Sequence, residues 1–384
     1  MRTSGAVQLR DLAREFVRQG HELTVLLPDA DLVQPWALED FDGARVLRLR
    51  SPRTKDIAYW RRTFGEWLMP YAMWRNLRRS PLSEQSWDAI VWYSPSIFHG
   101  PLVRALKRQS GGKGYLIVRD IFPEWALDIG LLRRGPAYLF LKWTALRQYG
   151  QADIIGVQSP GNLGYFRKWN QARKGRLLEV LPNWLDRPAN ARCQIRIEET
   201  PLAGRKVFVY AGNMGMAQGM DILLDLADRM TTRADIGFLF VGRGNDARRL
   251  RESAAARGLA NVFFHDEIEP DQISDLCVQC DAGLLALDHR HKSHNIPGKF
   301  LTYIQNGLPV LANVNPGNDI ANLIRSENVG EVCETNSLDE LVRRCVALID
   351  RLDEDPLLSD RCINLFERHF SVSRIVQQLV SALG

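Results

Sequence analysis

Short, almost uninterrupted apolar runs alternate with stretches of helical periodicity along the whole of this chain. In the front half the runs read as strands at 21–28, 44–50, 89–94, 114–120, 153–159 and 177–183. In the rear half they fall at 206–212, 236–242, 261–265, 282–287, 309–314 and 329–334. Strands that are apolar throughout, and not only at every second residue, are covered on both faces, and the intervening helices supply the cover. The pattern predicts an α/β chain with two doubly wound, Rossmann-like units of mainly parallel strands, and it excludes a helical bundle or an all-β sandwich. Sheets of this kind bind ligands beyond the carboxyl ends of their strands, so each strand-to-helix turn is a candidate site.

Charge and residue usage divide the chain in the same place. Residues 1–180 hold 28 Lys/Arg against 17 Asp/Glu, and residues 181–384 hold 22 against 28. All ten Trp lie at or before Trp184, and all six Cys at or after Cys193. The expected organisation is a first domain over 1–183, a second over 206–365 and a C-terminal helix over 366–384 placed to cross back to the first. The polar, Pro-containing stretch 184–205 would be the seam. No apolar stretch approaches the roughly 20 residues of a membrane-spanning helix. Arg2, Arg10, Asp11, Arg14 and Glu15 break up the opening residues, so no secretion signal is read there, and with scattered cysteines a cytoplasmic protein is expected. Cys277 and Cys280 form an isolated CxxC without the second pair that a zinc site requires, and no metal site is assigned. At this level dehydrogenases, epimerases and glycosyltransferases all remain open.

Five segments carry chemistry-bearing residues. In VYAGNMGMAQGMDILLDLA (209–227), Gly212, Gly215 and Gly219 lie between a strand and a helix. They fit either an anion cradle at the helix N-terminus or a plain tight turn. In FLFVGRGND (238–246), Gly242 and Gly244 read as a sharp turn with Asp246 as a helix cap. In 288–319, a polar loop with His289, His291, Lys292 and His294 leads into Pro297-Gly298-Lys299. A Lys opening a helix adds a full charge to the helix dipole and suits a diphosphate; the three His fit no standard metal-ligand spacing. RDIFPE (119–124) follows a strand, so Arg119, Asp120 and Glu124 sit at a sheet's carboxyl edge. Asp120 there fits either a proton acceptor or a structural partner of Arg119. Over 53–79, Trp60, Phe64, Trp67, Tyr71 and Trp74 recur at steps of 4, 3, 4 and 3 on one helical face, flanked by Arg61, Arg62 and other basic residues. That pattern describes either a helix lying in an anionic membrane interface or an aromatic stripe packed on a sheet, with Pro70 expected to kink or split it. No nucleic-acid recognition motif accompanies the basic residues.

Together, VYAGNMGMAQGMDILL, NIPGKFLTYIQNGLPVLANVNPGND, YLIVRDIFPEWALDIGLL, GHELTVL and VQSPGN resemble the WbuB-type branch of family 4 glycosyltransferases. The resemblance covers nearly the whole chain. It implies the GT-B fold, two facing doubly wound domains with a cleft between them. It also implies retaining transfer from a nucleotide sugar, UDP-linked here, with no cofactor and no metal for the leaving diphosphate. Lys299 then corresponds to the lysine that binds the donor diphosphate, with Gly298 and Gly212 beside it and Glu267 toward the base. Asn213 and Gln218 stand where many relatives carry Arg and Lys, and His294 and Thr302 where they carry a pair of Glu. In many relatives a His occupies the place near Asp120. Ser4 and Gly5 would end a donor-facing turn, and Gly242 would belong to the same site.

The resulting expectation is a transferase for surface polysaccharide or O-antigen assembly, moving a sugar such as an N-acetylated deoxyamino sugar onto a polyprenyl-diphosphate-linked acceptor. It would lie peripherally on the inner face of the plasma membrane. A nucleotide-sugar 2-epimerase and a silent subunit of the same fold are the alternatives. A doubly wound domain ordinarily opens with a strand, yet residues 1–26 read as turn, helix and second strand. The first strand of the front sheet is therefore expected to be missing.

Overall fold

The computed structural model describes residues 4–54, 57–128, 130–187, 191–215, 218–287 and 296–384. The chain divides into two compact units, one of residues 1–182 and 375–384 and one of residues 183–374.

The second unit holds a sheet of six parallel strands in the order β10-β9-β8-β11-β12-β13. These are β8 (Lys206–Ala211), β9 (Ile236–Val241), β10 (Val262–His265), β11 (Ala282–Ala286), β12 (Val310–Asn313) and β13 (Gly330–Cys333). Strand residues alternate between two cores because successive side chains leave a strand on opposite faces. Val207, Val209, Leu239, Leu285 and Val310 pack in one core with residues of helices α9 (Ile273–Val278), α10 (Gly298–Gln305), α11 (Asp319–Glu327) and α13 (Leu358–His369). Phe208, Tyr210, Phe238, Phe240 and Leu284 pack in the other, with α7 (Asp221–Arg229), α8 (Ala247–Ala256) and α12 (Leu338–Glu354). Every residue of β8 except Lys206, and all of β9, is buried. The order reverses between β8 and β11, which puts the switch point, and hence the ligand position of such sheets, beyond their carboxyl ends.

Residues 184–205 are not a linker. Cys193, Ile195, Ile197 and Leu202 are buried in the second unit's core. The Cys193 N–H donates to Asp275 Oδ2 at 2.8 Å, and that of Ile197 to Gln279 Oε1 at 3.2 Å. Side chains rather than a ladder hold this segment, which is why it shows no periodicity. The second unit also reaches past residue 365, through α13 and the start of α14 (Val372–Leu383); from Ile375 the chain lies in the first unit.

The first unit contains α1 (Ser4–Arg18), β1 (Thr24–Asp29), β2 (Trp36–Phe41), β3 (Ala44–Arg50), α2 (Tyr59–Leu77), β4 (Ala89–Tyr93) and α3 (Gly100–Ser110). After these come β5 (Lys113–Val118), α4 (Glu124–Asp128), α5 (Pro136–Tyr149), β6 (Ile154–Val157), α6 (Arg167–Gln171) and β7 (Leu177–Val180). Its strands form two separate sheets, β1-β3-β2 and β4-β5-β6-β7. β2 departs from the sequence reading: it runs antiparallel to β3. The two-residue turn Asp42-Gly43 between them has φ of 52° and 84°, the left-handed pair that a tight hairpin needs. α2 is one continuous helix with Pro70 inside it, so the expected split does not occur.

Candidate functional site

The switch point of the six-stranded sheet gathers most of the residues assigned to donor binding. β8 ends at Ala211 and turns at Gly212, whose φ is 138°. A methyl group added there would lie 2.7 Å from Lys299 Cε, so the lysine stem runs against the bare glycine backbone. Lys299 occupies the first turn of α10, and its Nζ sits 4.7 Å from the centre of the Tyr210 ring, a cation–π contact. Burial lowers its pKa to about 8. Among the described residues no carboxylate pairs with it. A half-buried ammonium aimed along a glycine turn and set at a helix N-terminus is a site for an anion.

The turn itself is stapled from within. Gln218 Oε1 accepts from the Gly215 N–H at 3.0 Å and lies 3.5 Å from Asn213 Nδ2. The Tyr210 hydroxyl donates to Asn213 O at 2.7 Å, and the Ala211 N–H donates to Tyr303 Oη at 3.0 Å. The neighbouring turn after β9 lies directly against it. A Cβ on Gly242 would fall 2.0 Å from Gly212 O, and one on Gly244 2.1 Å from Met214 O, with φ of 145° and 152° at the two glycines. Only glycine allows two backbones to approach so closely. The Met214 N–H donates to Arg243 O at 2.8 Å, locking the turns together.

The other assigned residues of this unit are placed as follows. Gly298 opens α10, with open space where a side chain would stand. Thr302 Oγ1 donates to Gly298 O at 3.2 Å, a bond within its own helix. Glu267 is exposed and pairs with Arg243 at 3.0 Å. His294, with His289, His291 and Lys292, lies outside the described residues. Cys277 is buried and its thiol is pushed up to about 12, so the CxxC offers no reactive thiolate there. Among the described residues no group of three potential ligands could hold a metal ion.

Sequence reading missed a cluster of buried amides beyond β12. Asn318 Oδ1 caps α11 by accepting from the Ile320 N–H at 3.1 Å, and its Nδ2 donates to Asn315 Oδ1 at 2.9 Å. Asn313 Nδ2 donates to Asn336 Oδ1 at 2.8 Å, while Asn313 Oδ1 is buried without a partner among the described residues. Three Asn in NVNPGND are the signal; their burial was not readable.

The first unit has its own group at the carboxyl end of β5. Arg119 is turned inward and buried, reaching Leu181 O at 3.4 Å and hydrogen-bonding Tyr93; burial lowers its pKa to about 10. Asp120 follows it half-buried, its pKa raised by burial against the opposing pull of Arg119. Glu124 pairs with Lys142, tying α4 to α5. Ser4 and Gly5 stand in the first turn of α1 and not in a preceding loop.

On α2 the aromatic stripe faces outward. Met69, Met73 and Leu77 fill the buried face, whereas Trp60 is 70% exposed and Phe64 58%; Trp67 and Tyr71 are also exposed and Trp74 is half-buried. Arg61 lies over the Trp60 ring at 5.1 Å and Arg62 pairs with Glu66 at 2.9 Å. A second such face, unread in the sequence, lies on α5: Leu139, Phe140, Trp143 and Leu146 are exposed, with Arg147 over Trp143 at 4.2 Å.

Comparison with known proteins adds the following. Residues 4–184 match the sequence family described as glycosyl transferase 4-like domain, and residues 205–351 that described as glycosyl transferases group 1. The chain is 24% identical over 277 residues to the putative colanic acid biosynthesis glycosyl transferase WcaI of Escherichia coli (strain K12), covering 66% of this chain and 62% of that protein. It is 26% identical over 268 residues to the probable glycosyltransferase WbjE of Pseudomonas aeruginosa, covering 66% and 63%. The match spans less than two thirds of either relative's length. Among solved structures, Anabaena Alr3699/HepE in complex with UDP has a TM-score of 0.68 at 14% identity, covering 100% of this chain and 96% of that one.

Proposed function

We propose that this chain, which has the GT-B fold, is a family 4-type glycosyltransferase that moves a sugar from a UDP-sugar to a polyprenyl-diphosphate-linked saccharide during assembly of a surface polysaccharide. We also place it in the WbuB-type branch, with an N-acetylated deoxyamino sugar as the donor group. The observation that carries the reading is Lys299, a half-buried ammonium without a carboxylate partner among the described residues, held along the Gly212 turn. A donor diphosphate supplies the missing negative charge. The UDP of the HepE complex and the colanic acid in WcaI's name point the same way.

In the retaining route the bond from the anomeric carbon to the diphosphate breaks as the bond to the acceptor oxygen forms on the same face. The acceptor proton passes to the departing phosphate oxygen, so the route requires charge stabilisation more than a protein base. Lys299 stabilises the leaving group; Asn213 and Gln218, being neutral, shape the turn. Asp120, set beside the buried Arg119, orients the acceptor. No helix among the described residues is long and apolar enough to cross a membrane. The lipid-linked acceptor is met instead by the exposed aromatic face of α2 and its arginines, lying in an anionic interface.

The test is a product assay with radiolabelled UDP-sugars and membranes carrying polyprenyl-linked saccharides. A lipid-extractable labelled product supports the proposal. A nucleotide sugar epimerised at C2 without lipid product would replace it with the epimerase reading. No conversion of any nucleotide sugar would leave a binding subunit.

A further inference from the structure

α10 carries Lys299 in its first turn, yet little in its own sequence fixes where it lies. Among the described residues no side chain caps its N-terminus, its first turn holds no acidic residue and its last turn no basic one. α11 and α12, by contrast, are capped by their own Asn318 and Ser337. The position of Lys299 nonetheless leaves little room, because a methyl group added at Gly212 would stand 2.7 Å from its Cε. A side chain held to that tolerance is placed by whatever holds its helix.

The segment 183–186 holds it, as a strap. Asn183, the first residue of the second unit, is buried, and its Nδ2 donates to Ile296 O at 3.0 Å. Ile296 directly precedes Pro297, the N-cap of α10. Trp184 beside it is fully buried. The Leu185 N–H donates to Phe370 O at 3.1 Å, and Leu185 O accepts from the Val372 N–H at 3.0 Å. The Phe370 ring stands edge-on to that of Phe300, the neighbour of Lys299, with centroids 6.2 Å apart. Asp186 O accepts from Gln305 Nε2, on the last residue of α10, at 2.6 Å. Residues 183, 185 and 186 thus secure the start, the middle and the end of one helix. Tyr303 ties the same helix to β8, through its Oη and the Ala211 N–H. The helix is therefore bonded both to the strap and to the strand that leads into the Gly212 turn.

We propose that Asn183 is a positioning residue for the anion site: by holding the Ile296 carbonyl it sets the first turn of α10 and lays the Lys299 ammonium along the Gly212 turn, while Gln305 secures the far end. The Asn183 amide is neutral and is engaged with a backbone carbonyl, so it acts through the helix and not on the anion. The inference rests on the reading of Lys299 as the group that binds the donor diphosphate, and it adds a residue which that reading does not include.

The experiment uses the full chain with Asn183→Leu, a near-isostere without the donor, and Gln305→Met, the same change at the half-buried far end. Circular-dichroism melts show which variants fold. UDP affinity is measured by calorimetry at pH about 7 in each variant, alone and combined with Lys299→Ala. The titration of Lys299 is followed without ligand, from the pH dependence of its acylation read by mass spectrometry. Asn183→Leu should weaken UDP binding by about fivefold or more, but by less than about twofold once Lys299 is replaced. It should also move the Lys299 midpoint up from about 8 toward that of a hydrated lysine, as the ammonium leaves its buried place on the Tyr210 ring. A lower melting temperature with affinity and midpoint both unchanged would overturn the proposal. Equal weakening with and without Lys299 would overturn it as well. Should Asn183→Leu fail to fold, Gln305→Met decides on the same two readouts. If Lys299→Ala leaves UDP binding unchanged while Asn183→Leu moves the midpoint, the diphosphate reading falls and the positioning role stands.

Discussion

At the carboxyl end of β8 a half-buried ammonium meets a turn of bare backbone, and its charge is answered by no carboxylate among the described residues. Removing it is informative because the stem is held against Gly212, where the charge is fixed at the turn. Lys299→Ala should weaken UDP binding by about 1.5–3 kcal/mol, the worth of a charge-assisted contact, measured by calorimetry. Affinity should also depend on pH with a definite sign. Burial lowers the Lys299 pKa to about 8, so the group is charged below that value and neutral above it. UDP affinity should fall as pH rises from about 7 to 9, and Lys299→Arg, charged throughout, should flatten the profile. A flat wild-type profile would remove Lys299 from the diphosphate. Gly242→Ala is the structural counterpart: its Cβ would meet Gly212 O at 2.0 Å with φ at 145°, and the loss should be about 2 kcal/mol or more in a denaturant melt. The glycines and the lysine were legible as residues in turns. What could not be read was their meeting, because 87 residues separate Gly212 from Lys299. Nor was it visible that Arg119 points inward or that Glu124 is taken by Lys142; one residue's burial depends on neighbours far along the chain.

Elements were more legible than contacts. Continuous apolar runs gave the parallel strands to within three residues at either end, since burial on both faces leaves few polar positions to confuse the period. β2 escaped because WALEDF mixes charge with apolar residues on an exposed edge, though the Asp42-Gly43 turn beside it carried a hairpin signal. On α2 the period showed a stripe but not its direction, as an aromatic face reads the same whether it meets a sheet or solvent. Met69, Met73 and Leu77 took the buried side and left Trp60, Phe64 and Trp67 outside. Replacing those three with Ser should therefore abolish sedimentation with anionic vesicles while shifting the melting temperature by no more than about 2 °C, because they contribute little to the fold. Retained vesicle binding would shift the contact to the exposed face of α5.

At the scale of the whole molecule the chain leaves the first unit at Pro182 and returns to it at Ile375. The return is a packed element: Ile375, Val376 and Leu379 are fully buried, and Gln378 Nε2 donates to Val180 O at 2.8 Å. Three such side chains at about 1.5–3 kcal/mol each are a large fraction of a domain's net stability. The tryptophans make the consequence measurable, since nine of the ten lie in the first unit and only Trp184 in the second. Ending the chain after Arg374 should lower the melt followed by Trp fluorescence by about 10 °C or more. The circular-dichroism melt should then split, with a second step near the original temperature from the six-stranded sheet, whose helices α7 to α13 all precede the cut. A single transition moved equally in both signals would mean that the two units unfold together and that α14 stabilises the pair, not the first unit alone.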